Sequence, residues 1–163
     1  MLRSVALAPV LLFGGLVPTA PSVHAENPKK GLQLAVTGKS DAFGTATGRE
    51  AEWNGTRGLG KPLRGFAIKI DEPVEGLGIR YKGHFAGSGD SEWCENGQLL
   101  ERGTQLEGIV VELTGPAASK YRVQYQTHLA FLGDSDVFED GEFCGTRGEG
   151  RRCEAIVIVV KRK

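Results

Sequence analysis

Large apolar side chains recur at alternate positions in three similar segments of the chain. In residues 66–70, 109–113 and 156–160 every second position carries a large apolar side chain. A period of two residues, with many β-branched side chains, predicts strands that turn one face towards a core. The same alternation is found in three earlier stretches, at 32–36, 79–81 and 123–125. No segment keeps a period of 3.6 residues, so the pattern predicts an all-β protein.

Internal repeats underlie this pattern, and two alignments without gaps reveal them. Residues 79–97 align with 123–141 at an offset of 44. Residues 55–70 align with 145–160 at an offset of 90, and a shortened counterpart lies at 103–113. Both offsets lie close to multiples of 45, which indicates three copies of one unit.

The alignments divide the chain into units at 31–70, 76–113 and 120–160. Each unit is predicted to form about four short strands, with proline-containing linkers between the units. Three such units suggest closure around a pseudo-threefold axis, because closure removes exposed sheet edges. We predict a β-prism-like fold, in which three small sheets share one core; a β-trefoil is the alternative.

Residues 1–25 have the pattern of a secretory signal peptide. Arg3 is the only charged residue before an apolar run at 5–17, and small residues lead to a cleavage site near Ala25. The run is too short to span a bilayer core of roughly 30 Å as a helix. We therefore expect a secreted or cell-surface protein, with residues 26–163 as one domain that has no membrane span after signal removal.

Charge and motifs narrow the function further. The chain has 20 basic and 20 acidic residues, which argues against nucleic acid as a partner and against electrostatic membrane docking. It contains no Gly-x-Ser-x-Gly, His-Glu-x-x-His or P-loop pattern. We predict a protein that is not an enzyme, with no catalytic residue, cofactor or metal.

Three cysteines allow one disulfide in an exported protein. Cys144 and Cys153 flank a glycine-rich turn, and this pair is the favoured one, although the two pairings with Cys94 stay open. Cys94 would then be buried or free.

The third unit carries a family signal at residues 128–133, 139–142, 145–146 and 154–158. It resembles the clostridial hydrophobic W (ChW) repeat, and the second unit matches in part. The resemblance implies an exported, surface-arrayed protein that binds a polysaccharide or another protein. Aspartates stand in place of the first family tryptophan, at Asp90 and Asp134. The second family tryptophan is kept as Trp93 in the second unit but is Val137 in the third.

Four residues are candidates for ligand contacts through ring or guanidinium groups. The rings of Trp53 and Trp93 suit stacking on a saccharide, with packing in the core as the alternative. Arg57 and Arg147 lie in matching glycine-rich loops, where they could contact an anionic partner.

The carboxylates of Asp90, Asp134 and Asp136 are further ligand candidates. Such oxygen ligands suit Ca²⁺, but a solvated turn is the favoured interpretation and no metal site is predicted. His84 and His128 occupy matching positions, which predicts a structural hydrogen bond from each ring to a neighbouring strand.

Overall fold

A computed structural model describes residues 32–163, which form fourteen strands and one short 3₁₀ turn. The first unit contains β1 (Leu34–Ser40), β2 (Gly44–Arg49), β3 (Asn54–Gly55) and β4 (Leu63–Ile70). The second contains β5 (Gly78–Phe85), β6 (Gly89–Asp90), β7 (Cys94–Glu95), β8 (Leu100–Glu101) and β9 (Leu106–Thr114). The third contains the 3₁₀ turn (Ala118–Lys120), β10 (Tyr121–Leu129), β11 (Gly133–Asp134), β12 (Phe138–Glu139), β13 (Cys144–Gly145) and β14 (Cys153–Arg162). The predicted signal peptide and its cleavage site lie outside the described residues.

The strands form three antiparallel sheets in this part of the chain, and each sheet contains one short strand from another unit. β8 of the second unit pairs with β4, β13 of the third unit pairs with β9, and β3 of the first unit pairs with β14. The exchange is cyclic, because each unit gives a short strand to the sheet of one other unit and receives a short strand from the remaining one. The predicted all-β fold of three units is confirmed, and the sheets are separate, as in the prism arrangement.

The core lies between the inner faces of the three sheets. The apolar positions predicted to face inward are buried on all six long strands, β1, β4, β5, β9, β10 and β14. Tyr81 and Tyr125 also belong to the core, and their hydroxyl groups donate to the backbone oxygens of Gln98 and Glu142. Burial raises the pKa of Tyr81 to about 12. These two bonds let a polar atom enter an apolar core without remaining unpaired.

A β-bulge recurs at the same place in every unit. The register of the two long strands shifts between Lys39 and Ser40, and equivalent shifts follow His84 and His128. The extra residue on the facing strand is Glu107 in the second unit and Glu154 in the third, and both are almost fully buried. In the second unit the bulge places the Glu107 carboxylate 3.9 Å from His84 Nε2, whereas in the third the Glu154 carboxylate accepts hydrogen bonds from Arg152 and from the Gly60 N–H.

The predicted Cys144–Cys153 disulfide is not formed, because the three cysteines, all in the described part, are free thiols. Strand exchange separates the pair: Cys144 on β13 joins the second sheet, whereas Cys153 on β14 belongs to the third. The Cys144 Sγ lies 3.3 Å from the Thr127 hydroxyl and 3.2 Å from the Ser135 hydroxyl. Burial raises the pKa of both thiols.

One detail of the repeat alignment is also wrong. Glu101 of β8 is the counterpart of Gly55 and Gly145. Each of these three residues pairs with the same position on the long strand of the sheet that its short strand joins. The Gly103-Thr104 pair therefore lies two residues beyond its expected match.

Residues 32–163 contain no helix long and apolar enough to cross a membrane.

Candidate functional site

The junction between the first and third units gathers four side chains from two distant stretches of the sequence. His128 Nδ1 lies 2.6 Å from Asp134 Oδ1, and Arg57 Nη1 donates to Asp134 Oδ2 at 3.0 Å. The Trp53 ring meets His128 edge to face, with 6.4 Å between ring centroids. The Arg57 guanidinium lies 5.1 Å from the Trp53 ring centre, within cation–π range. We call these four residues the Trp53 cluster.

The junction between the second and third units repeats this arrangement, with Phe143 in the place of the tryptophan. His84 Nδ1 lies 2.6 Å from Asp90 Oδ1, and Arg147 Nη2 donates to Asp90 Oδ2 at 3.0 Å. The Phe143 ring meets His84 edge to face at 6.2 Å, and Arg147 lies 3.5 Å from the ring centre. We call these residues the Phe143 cluster.

Strand exchange creates both clusters. The short strands β3 and β13 each follow an aromatic residue and precede an arginine, so their pairing with another unit carries both side chains to that unit's histidine. The His–Asp pair comes from the hairpin that receives the strand, β10–β11 or β5–β6. The prediction that each histidine bonds a neighbouring strand is confirmed by these contacts.

Neighbouring cations keep the Asp90 carboxylate of the Phe143 cluster ionised. The Arg147 guanidinium, with help from His84, lowers the pKa of Asp90 to about 2. Lys82 Nζ, 3.6 Å from the same carboxylate, is a second cation beside it. Behind the ring, His84 Nε2 lies 3.9 Å from the buried Glu107 carboxylate. A carboxyl group with so low a pKa is a poor proton donor near neutral pH, so the cluster is suited to a structural or electrostatic role and not to proton transfer.

The third junction has lost the arrangement. Lys39 and Thr45 pair at the positions of the histidine and aspartate. Leu99 and Gly103 stand where the other junctions have their aromatic residue and arginine. A 2.6 Å ion pair between Lys39 and Glu101 joins the two units instead. At all three junctions an ion pair therefore joins two units, whereas the aromatic ring is present at only two of them.

Trp93 lies apart from the junctions, on the outer face of the second sheet. The Arg80 guanidinium and the Lys82 ammonium lie 4.4 and 5.2 Å from the Trp93 ring centre. Arg80 is fixed in turn by Glu112, with a 2.8 Å bond from Nη2 to Oε2. Trp53 and Trp93 are both half-buried and outside the core, so the core-packing alternative for the tryptophans is wrong.

Asp136 is not brought into either cluster. Its side chain is exposed, and its backbone oxygen accepts a bond from the Ser135 hydroxyl. The carboxylate of the neighbouring Asp134 is already taken by Arg57 and His128. In residues 32–163 no group of three or more acidic, histidine or cysteine side chains is placed to hold a metal ion.

Sequence reasoning missed Phe143 as a member of a site. Its equivalence to Trp53 follows from extending the alignment of 55–70 with 145–160 by two residues towards the N-terminus. The signal was therefore present, but the identity of the ring had changed.

Fold and site together define an all-β repeat protein whose three units close through strand exchange and carry aromatic clusters at their surface. Residues 128–162 match the family model of the Clostridial hydrophobic W (ChW) repeat. This part of the third unit is therefore similar to a ChW repeat, in agreement with the resemblance seen in the sequence. Comparison with the curated proteins and with the solved structures found no match.

Proposed function

We propose that this protein is an exported, non-catalytic binding module that attaches to a carbohydrate or cell-wall polymer through the rings of Trp53 and Trp93. The observation that carries the proposal is that both tryptophans are half-buried at the surface, outside the core. A large ring exposed to water costs free energy that packing in the core would recover. Its placement at the surface is therefore better explained by a ligand.

The rings suit saccharide binding because their orientation is fixed. The edge of His128 and the guanidinium of Arg57 hold Trp53, while Arg80 and Lys82 hold Trp93. A flat aromatic face complements the apolar face of a sugar. Side chains fixed before binding lose little entropy when the ligand arrives, which favours affinity.

A polymeric ligand fits the distribution of the rings better than a small molecule does. Trp53 and Trp93 lie on different sheets, so one short ligand would not need both. A chain with repeated sugars can occupy several weak sites at once, and the combined affinity then exceeds that of either site.

Binding to purified cell-wall polysaccharide tests the proposal, with the secreted full-length chain and its Trp53→Ala and Trp93→Ala variants. Each alanine variant should weaken binding by about tenfold, the effect of removing one stacking residue worth roughly 1.4 kcal/mol. Trp93→Phe keeps a ring at the site and should retain most of the affinity. A glycan array identifies the sugar. Absence of binding in both assays, or unchanged affinity in both alanine variants, would overturn the proposal.

A second candidate is a structural or protein-interaction domain without a small-molecule ligand. It is favoured by the ion pairs of Arg57 and Arg147, which join different units at the two aromatic junctions. In this case Trp53→Ala would lower the melting temperature and leave polysaccharide binding unaffected.

A further inference from the structure

The outer face of the third sheet has an open groove at the place where the second sheet carries Trp93. Its volume is about 140 Å³. Its lining comes from β10, from β14 and from the loop before β12. The lining residues are Gln124, Tyr125, Gln126, Val137, Val157, Val159 and Lys161.

Strand register establishes that the two places are equivalent. Arg80 pairs with Glu95 in the second sheet, and Gln124 pairs with Glu139 in the third. Moving 44 residues along the chain therefore converts Arg80, Lys82 and Trp93 into Gln124, Gln126 and Val137. In the second sheet the indole ring lies against the two cations. In the third, valine is too small to cover the same area, and the groove remains.

The floor of the groove is apolar although it faces solvent. Val157 and Val159 point away from the core and are only half-buried. The position of Val159 is held by Glu112 and Lys69 in the other two sheets, where a charged group meets water. An apolar floor beneath a groove gains free energy when a ligand covers it.

The rim of the groove carries hydrogen-bonding groups in fixed positions. Gln124 Nε2 donates to Glu139 Oε1, and Gln126 Nε2 donates to the backbone oxygen of Ser135 at 2.7 Å. Neither amide oxygen accepts a hydrogen bond within residues 32–163, so both are available to hydroxyl donors of a ligand.

We infer that this groove is a subsite for one uncharged pyranose ring of a saccharide. Its volume is well below the roughly 300–1,000 Å³ of sites for drug-sized ligands, so it holds a single ring. The apolar floor matches the C–H face of a sugar and the amide oxygens match its hydroxyl groups. An aromatic guest is less favoured here than at Trp93, because the two cations that hold that ring have become neutral glutamines and Lys161 is the one cation among the lining residues.

The inference rests on the proposed function, since it names a subsite for the same class of ligand, but it is tested separately. Full-length protein with ¹³C-labelled valine methyl groups and ¹⁵N-labelled glutamine amides is titrated with an N-acetylglucosamine tetrasaccharide. Parallel titrations use cellotetraose and N-acetyl-tryptophanamide. We expect one or both saccharides to shift the signals of Val137, Val157 and Val159 and the side-chain amides of Gln124 and Gln126. Shifts with the indole compound alone would overturn the inference in favour of an aromatic guest.

Val137→Trp fills the groove with the chain's own ring, as Trp93 does in the second sheet. The variant should fold, because Val137 is 54% exposed and the second unit has a tryptophan at this place. It should lose the saccharide-induced shifts and at least about tenfold in saccharide affinity, equal to about 1.4 kcal/mol. Val137→Thr, which keeps the size of the side chain, is the matched control and should retain both.

The outcomes separate the two proposals. Suppose that Trp53→Ala and Trp93→Ala bind the saccharide weakly, that Val137→Trp binds it as tightly as the unchanged protein, and that no valine methyl signal shifts. This result would overturn the groove as a subsite and leave the role of the tryptophans intact. In the opposite case, Val137→Trp loses the saccharide-induced shifts while Trp53→Ala and Trp93→Ala keep their saccharide affinity. The groove would then be the binding site, and the role of the tryptophans would be overturned.

Discussion

Gly145→Ala tests the strand exchange that closes the molecule. Gly145 lies on β13, where it pairs with Gly108 of the second unit at a φ of 141°. A Cβ atom at this position would lie 2.3 Å from the Gly108 Cα atom and 2.4 Å from the Glu107 backbone oxygen. Both atoms belong to the backbone, so a side-chain rotation cannot relieve the overlap, and β13 must move away from β9.

The expected loss has two parts. Holding alanine at a φ of 141°, a region that essentially only glycine adopts, costs about 1–3 kcal/mol. Moving β13 also weakens its contacts with β9, among them the 3.0 Å hydrogen bond from the Thr146 N–H to the Glu107 oxygen. Each such bond contributes about 1 kcal/mol. The total is roughly 3 kcal/mol or more, a large share of the about 5–15 kcal/mol by which domains are stable.

Urea unfolding followed by circular dichroism measures this loss, and the chain offers a matched control. Gly148 has a φ of 69°, but a Cβ there would meet no atom within 4 Å. Gly148→Ala should therefore lose only the backbone contribution of about 1–2 kcal/mol. Equal losses in the two variants would show that β13 is not held against β9, and the account of closure would be refuted.

Three further predictions follow from individual contacts. Because the folded-state pKa of Asp90 is about 2, against an ordinary 3.8, its ion pair stabilises the protein above pH 3.8. That contribution, about 1 kcal/mol after allowance for solvent screening, should disappear as the pH falls towards 2, and Asp90→Asn should remove this part of the pH dependence of the urea midpoint. Cys144 and Cys153 are fully buried free thiols, so alkylation of native protein should spare both, and an intact mass two hydrogens below the fully reduced value would contradict this. Gly38→Ala would place a Cβ 2.1 Å from Asn54 Oδ1, so it should lower the melting temperature, and Asn54→Ala in the same chain should reduce this additional loss; strictly additive effects would argue against the clash.

The long strands were predictable from the sequence because their inward positions follow a local rule. Large apolar residues stand at every second position of 66–70, 109–113 and 156–160 and are buried, although the residues between them in 156–160 are valines as well. The exchanged strands are only two residues long, and their partners lie in other units. A two-residue strand has no period, so its pairing could not be read from the sequence.

The missed exchange explains both the wrong disulfide and the incomplete site. The short glycine-rich turn between Cys144 and Cys153 favoured their pairing, but β13 and β14 belong to different sheets. In the same way Arg147 and Asp90 were singled out separately, but nothing local indicated that they form an ion pair across a junction. Local sequence contains the functional side chains, whereas the topology decides which of them meet.

The extent of the family match has a consequence for where function can reside. The matched residues 128–162 contain His128 and Asp134, but Trp53 and Arg57 come from the first unit and complete the cluster only through β3. A single repeat therefore supplies the His–Asp pair of one cluster and the ring and arginine of another, but no complete cluster. The outer-face groove differs in this respect, because β10, β14 and the loop before β12 all belong to the third unit. Binding at the junctions should require the closed ring of three units, whereas binding at the groove depends on contacts within one repeat, so the two kinds of site are free to diverge independently.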